Sequence, residues 1–125
     1  MIDRLFGGDT YTAATRALDA TALRQQVISH NLANANTPGY KRQEVQFENE
    51  LSRAISQHDN PCAPRINSVR PRVITVGNTS ERADGNNVNL ETESVNLAIN
   101  ALKFEALAQS VAGTFRALKT AIKGS

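Results

Sequence analysis

LETESVNLAINALKFEALAQSVAGTFRALKTAI, residues 90–122, places Leu90, Ser94, Leu97, Ala101, Phe104, Ala108, Val111, Phe115, Leu118 and Ile122 at alternating steps of four and three without a slip. A mean step of 3.5 residues keeps one face of an α-helix in line, so the segment predicts one long helix with a coiled-coil seam. Val95, Ile99, Leu102 and Ala106 add a second stripe next to it. Asn89 stands at the N-cap, Glu91 and Glu93 follow it, and Lys119 and Lys123 come last, the charge order a helix dipole favours. One helical partner cannot cover both stripes. The excess is expected to be buried by other chains, with terminal helices that are marginal in the monomer and fixed by assembly.

The partner within the chain lies at the other end. From about Asp9 to Asn36, Tyr11, Ala14, Leu18, Thr21, Gln25, Ile28, Leu32 and Ala35 again alternate steps of three and four, and Leu23 and Val27 lie beside them. This predicts a first helix paired with the last, with Thr21 and Gln25 as polar seam positions that help set register. Pro38 disfavours helical geometry at Thr37, and Pro38-Gly39 has the composition of the centre of a type II turn, so the helix is expected to end near Asn36. The assembly seam is assigned to Leu18, Ile28 and Leu32 on the first helix and to Leu90, Leu97, Phe104, Val111, Phe115, Leu118 and Ile122 on the last.

Between the helices the pattern breaks up. Lys41 to Ser56 has apolar residues at Val45, Phe47, Leu51 and Ile55 and is expected to start extended and become a short helix. Gln57 to Pro71, with Pro61, Pro64 and Pro71, is an irregular connector. Arg72 to Val76 is β-prone and precedes Gly77-Asn78, which fits a small β-hairpin in this region. Asp84-Gly85-Asn86-Asn87 is a further turn signal. The fold class is therefore mainly α, with long N- and C-terminal helices paired as a coiled coil and an irregular middle. It divides into 1–40, 41–88 and 89–125 as parts of one structural unit.

Composition excludes more than it proposes. The 125 residues carry 14 basic and 12 acidic side chains. They are scattered, with only Arg65, Arg70 and Arg72 near one another, so the footprint of a nucleic-acid binder is missing. Aromatic content of 5% and a centre rich in Pro, Asn, Ser and Arg argue against a compact globular core. One cysteine, Cys62, rules out an internal disulfide and a multi-cysteine zinc site. Met1 to Gly8 lacks the long apolar run of a secretory signal, and no segment is apolar enough to span a membrane.

The stretch Ile28-Ser-His-Asn-Leu-Ala-Asn-Ala-Asn-Thr-Pro-Gly-Tyr40 resembles the N-terminal signature shared by flagellar rod, hook and hook-associated proteins, on Asn31, Asn34, Asn36, Thr37, Pro38, Gly39 and Tyr40. Lys41-Arg-Gln-Glu-Val-Gln-Phe-Glu48 and Asp84-Gly-Asn-Asn-Val-Asn-Leu-Glu-Thr-Glu93 are similar to segments of one short proximal-rod member, and the chain has no inserted domain of the kind hook and distal-rod proteins carry. Residues 57–83 match no pattern. The resemblance implies a structural rod subunit that pairs its terminal helices in an inner layer and stacks head to tail in a helical tube, transmitting torque and walling the export channel. It implies as partners a sibling rod subunit of the FlgC type, an adaptor of the FliE type and the flagellar type III export gate. It further implies a location in the basal-body rod across the periplasm, reached by export without cleavage of a signal peptide, with Ile2, Leu5 and Phe6 as candidates for gate recognition. The alternative from another class is a small soluble adaptor or export chaperone that binds a partner helix.

No residue set points to catalysis, a metal or a cofactor. His30 has no ligand partner at helical spacing and is expected to be a helix-surface or interface histidine. His58, Asp59 and Cys62 stand together without an oxyanion loop or supporting motif. The Asp84 run is a turn and not a calcium loop, because Val88, Asn89 and Val95 fall where an EF-hand needs a ligand, its glycine and its closing Glu.

Overall fold

In the computed structural model, which describes residues 8–77 and 79–124, two long helices pack on each other and a small middle layer lies against the first of them. Helix α1 spans Gly8–Ala33, strand β1 Gln43–Gln46, helix α2 Glu48–Ser56, strand β2 Arg72–Thr75 and helix α3 Leu90–Lys123, with a 3₁₀ turn at Ile66–Ser68. Ile2, Leu5 and Phe6 lie outside the described residues.

α1 and α3 run antiparallel. Asn100 Nδ2 near the middle of α3 donates to the Thr21 carbonyl at 2.8 Å and to Gln25 Oε1 at 2.8 Å, while Glu93 near its start meets Asn31 near the end of α1. By this register α1 runs out opposite about Phe115, and the last turns of α3 extend past its described part. Leu97, Val111 and Leu118 are half-buried, whereas Leu90, Phe104, Phe115 and Ile122 are 48%, 40%, 58% and 84% exposed. Glu93 and Asn100 are the fully buried positions of α3. The inner face of this helix is thus partly polar, and much of its apolar surface points outward.

α3 begins where its sequence indicates. The Asn89 side chain accepts the Thr92 N–H at 3.0 Å, an N-cap that satisfies one of the free donors of the first turn. At the far end Gly124 takes a left-handed φ of +66° and its N–H returns to the Thr120 carbonyl.

α1 stops at Ala33, three residues short of the expected Asn36. The cause is a run of tighter i→i+3 bonds: Asn34 N–H reaches the Asn31 carbonyl at 3.2 Å and Ala35 N–H the Leu32 carbonyl at 3.2 Å. The Asn34 side chain folds back onto the His30 carbonyl at 2.8 Å, competing with helix continuation. The expected turn follows. Tyr40 N–H donates to the Thr37 carbonyl at 3.2 Å, and Gly39 has φ +74°, the left-handed geometry of the third residue of a type II turn.

The middle extends and then coils, as the Lys41–Ser56 pattern predicts. The β-prone run at Arg72 pairs antiparallel with β1, Gln43 opposite Thr75 and Val45 opposite Val73, giving the small two-stranded ribbon. Its partner strand is thus the segment just after the signature, reached by a long connection. Although composition argues against a compact core, Phe47, Ala54, Ile66 and Val69 do form a small one against Ala20 of α1, with Ala13, Ala17 and Leu51 packed on it. The 3₁₀ turn brings Ile66 and Val69 to this cluster, so the connector has a defined path.

Candidate assembly interface

The signature is the hub of a buried polar corner. Asn31 is fully buried and its amide behaves as a peptide unit: Oδ1 accepts the Gln43 N–H at 3.0 Å and Nδ2 donates to the Gln43 carbonyl at 2.7 Å. The same Oδ1 accepts the Tyr40 hydroxyl at 2.9 Å, and Nδ2 also reaches Glu93 Oε2 at 3.2 Å. A buried amide with all its capacity used fixes its neighbours. Here it joins the end of α1, the start of β1 and the first turn of α3.

Glu93 completes the joint. Its side chain is 1% exposed, and Oε1 accepts from Arg42 Nε, which forms an ion pair with it; Arg42 Nη1 also holds Glu44 at 3.0 Å. Burial alone would lower the Arg42 guanidinium, but the bonds and charges of Glu93 and Glu44 hold it above its ordinary value. Burial, then the charge of Glu93, raises the Tyr40 phenol, keeping it a neutral donor. Tyr40 Oη also lies 3.1 Å from His30 Nδ1, which places His30 on the outside of the corner.

A second pair of asparagines locks the corner from the other side. A helix leaves its last carbonyls without intrahelical donors. Asn86, fully buried, supplies donors to the turn just beyond α1: its Nδ2, with two protons to share, lies 2.9, 3.0 and 2.9 Å from the Asn34, Ala35 and Thr37 carbonyls, and Arg82 also donates to the Ala35 carbonyl. Asn87 accepts the Arg42 N–H at 2.6 Å and donates to the Val76 carbonyl at 2.7 Å, binding the ribbon to the same loop. The two glycine turns touch. Gly39 N–H donates to the Asp84 carbonyl at 2.8 Å, and a Cβ on Gly85, whose φ is +81°, would stand 3.5 Å from Gly39 Cα.

Of the signature residues, Asn31, Asn34 and Tyr40 are thus brought into the network, Thr37 bonds Asn34 Oδ1 at 3.2 Å, and Asn36, Pro38 and Gly39 are exposed on the turn. Ile28 is buried, while Leu18 and Leu32 are half-buried. Arg42, Asn86, Asn87, Glu93 and Asn100 were not among the predicted site residues. Asn86 and Asn87 are visible in the sequence as a turn and Glu93 as a charge suited to the helix dipole, within the Asp84–Glu93 segment that carries the resemblance, but nothing there marks them as a buried network.

His58 lies apart, exposed, with Nε2 3.1 Å from Asp9 and Nδ1 3.0 Å from Asp59. Cys62 is exposed. Among the described residues no group of three His, Cys, Asp or Glu side chains is arranged to hold a metal ion, and no helix is long and apolar enough to cross a membrane.

A paired-helix unit, cross-braced by buried amides at one end and apolar on its outer surface, defines a structural subunit built for packing against other chains. A family model described as "Flagella basal body rod protein" matches residues 12–41, which include the whole Asn31–Tyr40 corner. Flagellar basal body rod protein FlgB of Bacillus subtilis is 31% identical, the match covering 96% of this chain and 97% of that one. FlgB of Borrelia hermsii is 32% identical over 88% and 93%, and FlgB of Salmonella typhimurium 28% over 84% and 85%. The chain belongs to the FlgB family of flagellar basal body rod proteins.

Proposed function

We propose that this rod subunit works mechanically, in the proximal part of the rod, by packing the outward apolar surface of α3 against neighbouring subunits. The observation that carries this is the inverted distribution of polarity along α3: Glu93 and Asn100 are inside, while Val95, Leu102, Phe115 and Ile122 are 57%, 69%, 58% and 84% exposed. These are two apolar faces, Val95 and Leu102 on one side of α3 and Phe115 and Ile122 on nearly the opposite side toward its far end, and exposed apolar surface of this kind on a folded chain marks interaction. Its heads and tails meet as heterologous contacts, which build an open helical tube that transmits torque and walls a channel. The partners are a sibling rod subunit of the FlgC type on one side and a FliE-type adaptor with the type III export gate on the other. The subunit reaches the rod, across the periplasm, by export without cleavage.

The predicted seam, Leu18, Ile28 and Leu32 with Leu90, Leu97, Phe104, Val111, Phe115, Leu118 and Ile122, divides into the part that joins α1 to α3 and the part that meets other chains. Phe115→Asp tests the second part alone. The variant is expected to be made at normal levels and to be missing from detergent-resistant basal bodies, leaving cells non-motile. Normal swimming with the variant present in the rod contradicts the proposal.

A further inference from the structure

The two edges of the β1–β2 ribbon differ. Val76 N–H donates to the Arg42 carbonyl at 2.8 Å, and these residues stand opposite each other when the ribbon register is continued. Antiparallel pairing alternates bonded with non-bonded pairs, so Glu44 with Ile74 and Gln46 with Arg72 exchange the bonds inside the ribbon. The backbone groups of Gln43 and Val45 therefore turn outward on one edge, and those of Val73 and Thr75 on the other. Side chains close the β1 edge: Asn31 holds both the N–H and the carbonyl of Gln43, and Arg24 Nη2 donates to the Val45 carbonyl at 3.1 Å. On the β2 edge, the N–H and carbonyl groups of Val73 and Thr75 have no partner among the described residues. Val73 is 44% exposed, although Val45, opposite it on the same face, is 6% exposed.

An open edge of β-branched residues is a template for one more strand. A strand laid beside β2 takes up the outward N–H and carbonyl groups, and its residue opposite Val73 widens the apolar face that Val45 begins. Two copies of this chain do not supply that strand to each other in a head-to-tail assembly. The β1 edge of a copy is closed, and pairing one β2 edge with another is a two-fold contact that closes on itself. The occupant is therefore a segment of a different chain. Its charge follows from the flank of the strand. Arg72 pairs with Glu50, whereas Arg70 bonds the Asn67 and Val69 carbonyls and has no carboxylate partner among the described residues. A segment carrying Asp or Glu fits this end of the edge.

Resting on the reading of the chain as a rod subunit, we propose that the outer edge of β2 receives an extended, acidic segment of a different basal-body protein as a third strand, bonded to the backbone of Val73 and Thr75 with an apolar side chain over Val73. Two experiments test it. Thr75→Pro removes the outward N–H and leaves the bonds between β1 and β2 in place, whereas Thr75→Ala keeps that N–H. Both variants are expected to hold the monomer's thermal midpoint, and Thr75→Pro alone to lower incorporation into basal bodies, by about tenfold or more. Equal incorporation of the two variants, whether normal or lowered, overturns the proposal. A midpoint lost only in Thr75→Pro places that N–H inside the subunit and overturns it equally. A photo-crosslinking residue at Val73, in assembled basal bodies, is expected to join a different basal-body protein at a segment with Asp or Glu beside the point of attachment. Adducts solely to this chain, or no adduct in rods of normal composition, overturn the proposal while leaving the rod reading intact; absence of the unsubstituted chain from basal bodies removes the rod reading itself.

Discussion

Asn31 does the work of a piece of backbone. Its amide exchanges both hydrogen bonds with Gln43 and takes a third from Tyr40, so the end of α1 is fastened to β1 without a strand. Asn31→Ala strips partners from several buried groups at once and is expected to destabilise the monomer by about 3 kcal/mol in urea unfolding. A loss under 1 kcal/mol speaks against the hub. The phenol of Tyr40 gives a pH signature. Its pKa is raised by burial and by Glu93, so the folded state keeps the proton where the unfolded state has lost it. Its contribution is complete below about pH 10, the ordinary tyrosine value, and is lost as pH rises through the folded value. Tyr40→Phe should flatten this alkaline decline in a series of unfolding curves. Glu48 acts in the opposite range. Burial alone would raise its pKa, but the bond from Arg24 and the charges of Arg24 and Lys103 lower it, so its small contribution holds above the usual carboxylate range and fades as pH falls below it. At 60% exposure that effect is minor beside the corner. The turn at Pro38-Gly39 and the cap at Asn89 were legible because each is local chemistry. The partners of Glu93, Arg42 and Asn86 were not, since they lie about 50 or more residues away in sequence and no periodicity marks such contacts.

At the scale of elements, the two helices follow from spacing, but the rotation of one against the other does not. The heptad pattern of α3 supports several adjoining faces. Which one turns inward is decided by the bonds of Asn100 and Glu93 to α1, so two polar residues set the orientation of an apolar helix. α1 ends three residues before the stop that its sequence predicts for a related reason: Pro38 sets the latest possible stop, while the Asn34 side chain makes an earlier one. The ribbon partner of β2 was likewise out of reach of local pattern, because β1 lies on the far side of the α2 connector. The small core can be tested through Phe47, which is 3% exposed against Ala20, Ala54, Ile66 and Val69. Phe47→Ala should cost about 3 to 5 kcal/mol and release the connector to proteolysis before α1 or α3. Asn89→Ala, by contrast, should cost about 1 kcal/mol and increase amide exchange in the first turn of α3 alone.

For the whole molecule, a braced corner at one end is combined with apolar surface that runs along α3 to the other. The corner end holds the buried amides and the Arg42–Glu93 pair, while the far end of α3 extends beyond α1 with Phe115 and Ile122 open. A subunit of this kind carries a fixed angle between its helices into an assembly and leaves the assembly to cover its apolar surface. The most direct test is a cryo-EM map of isolated basal bodies with side chains traced in the proximal rod. Val95, Ile99, Leu102, Phe115 and Ile122 should be buried against neighbouring subunits, with the Asn31–Glu93–Arg42 corner unchanged. A rod in which those side chains face solvent or the open channel, or in which the corner is taken apart, contradicts the account.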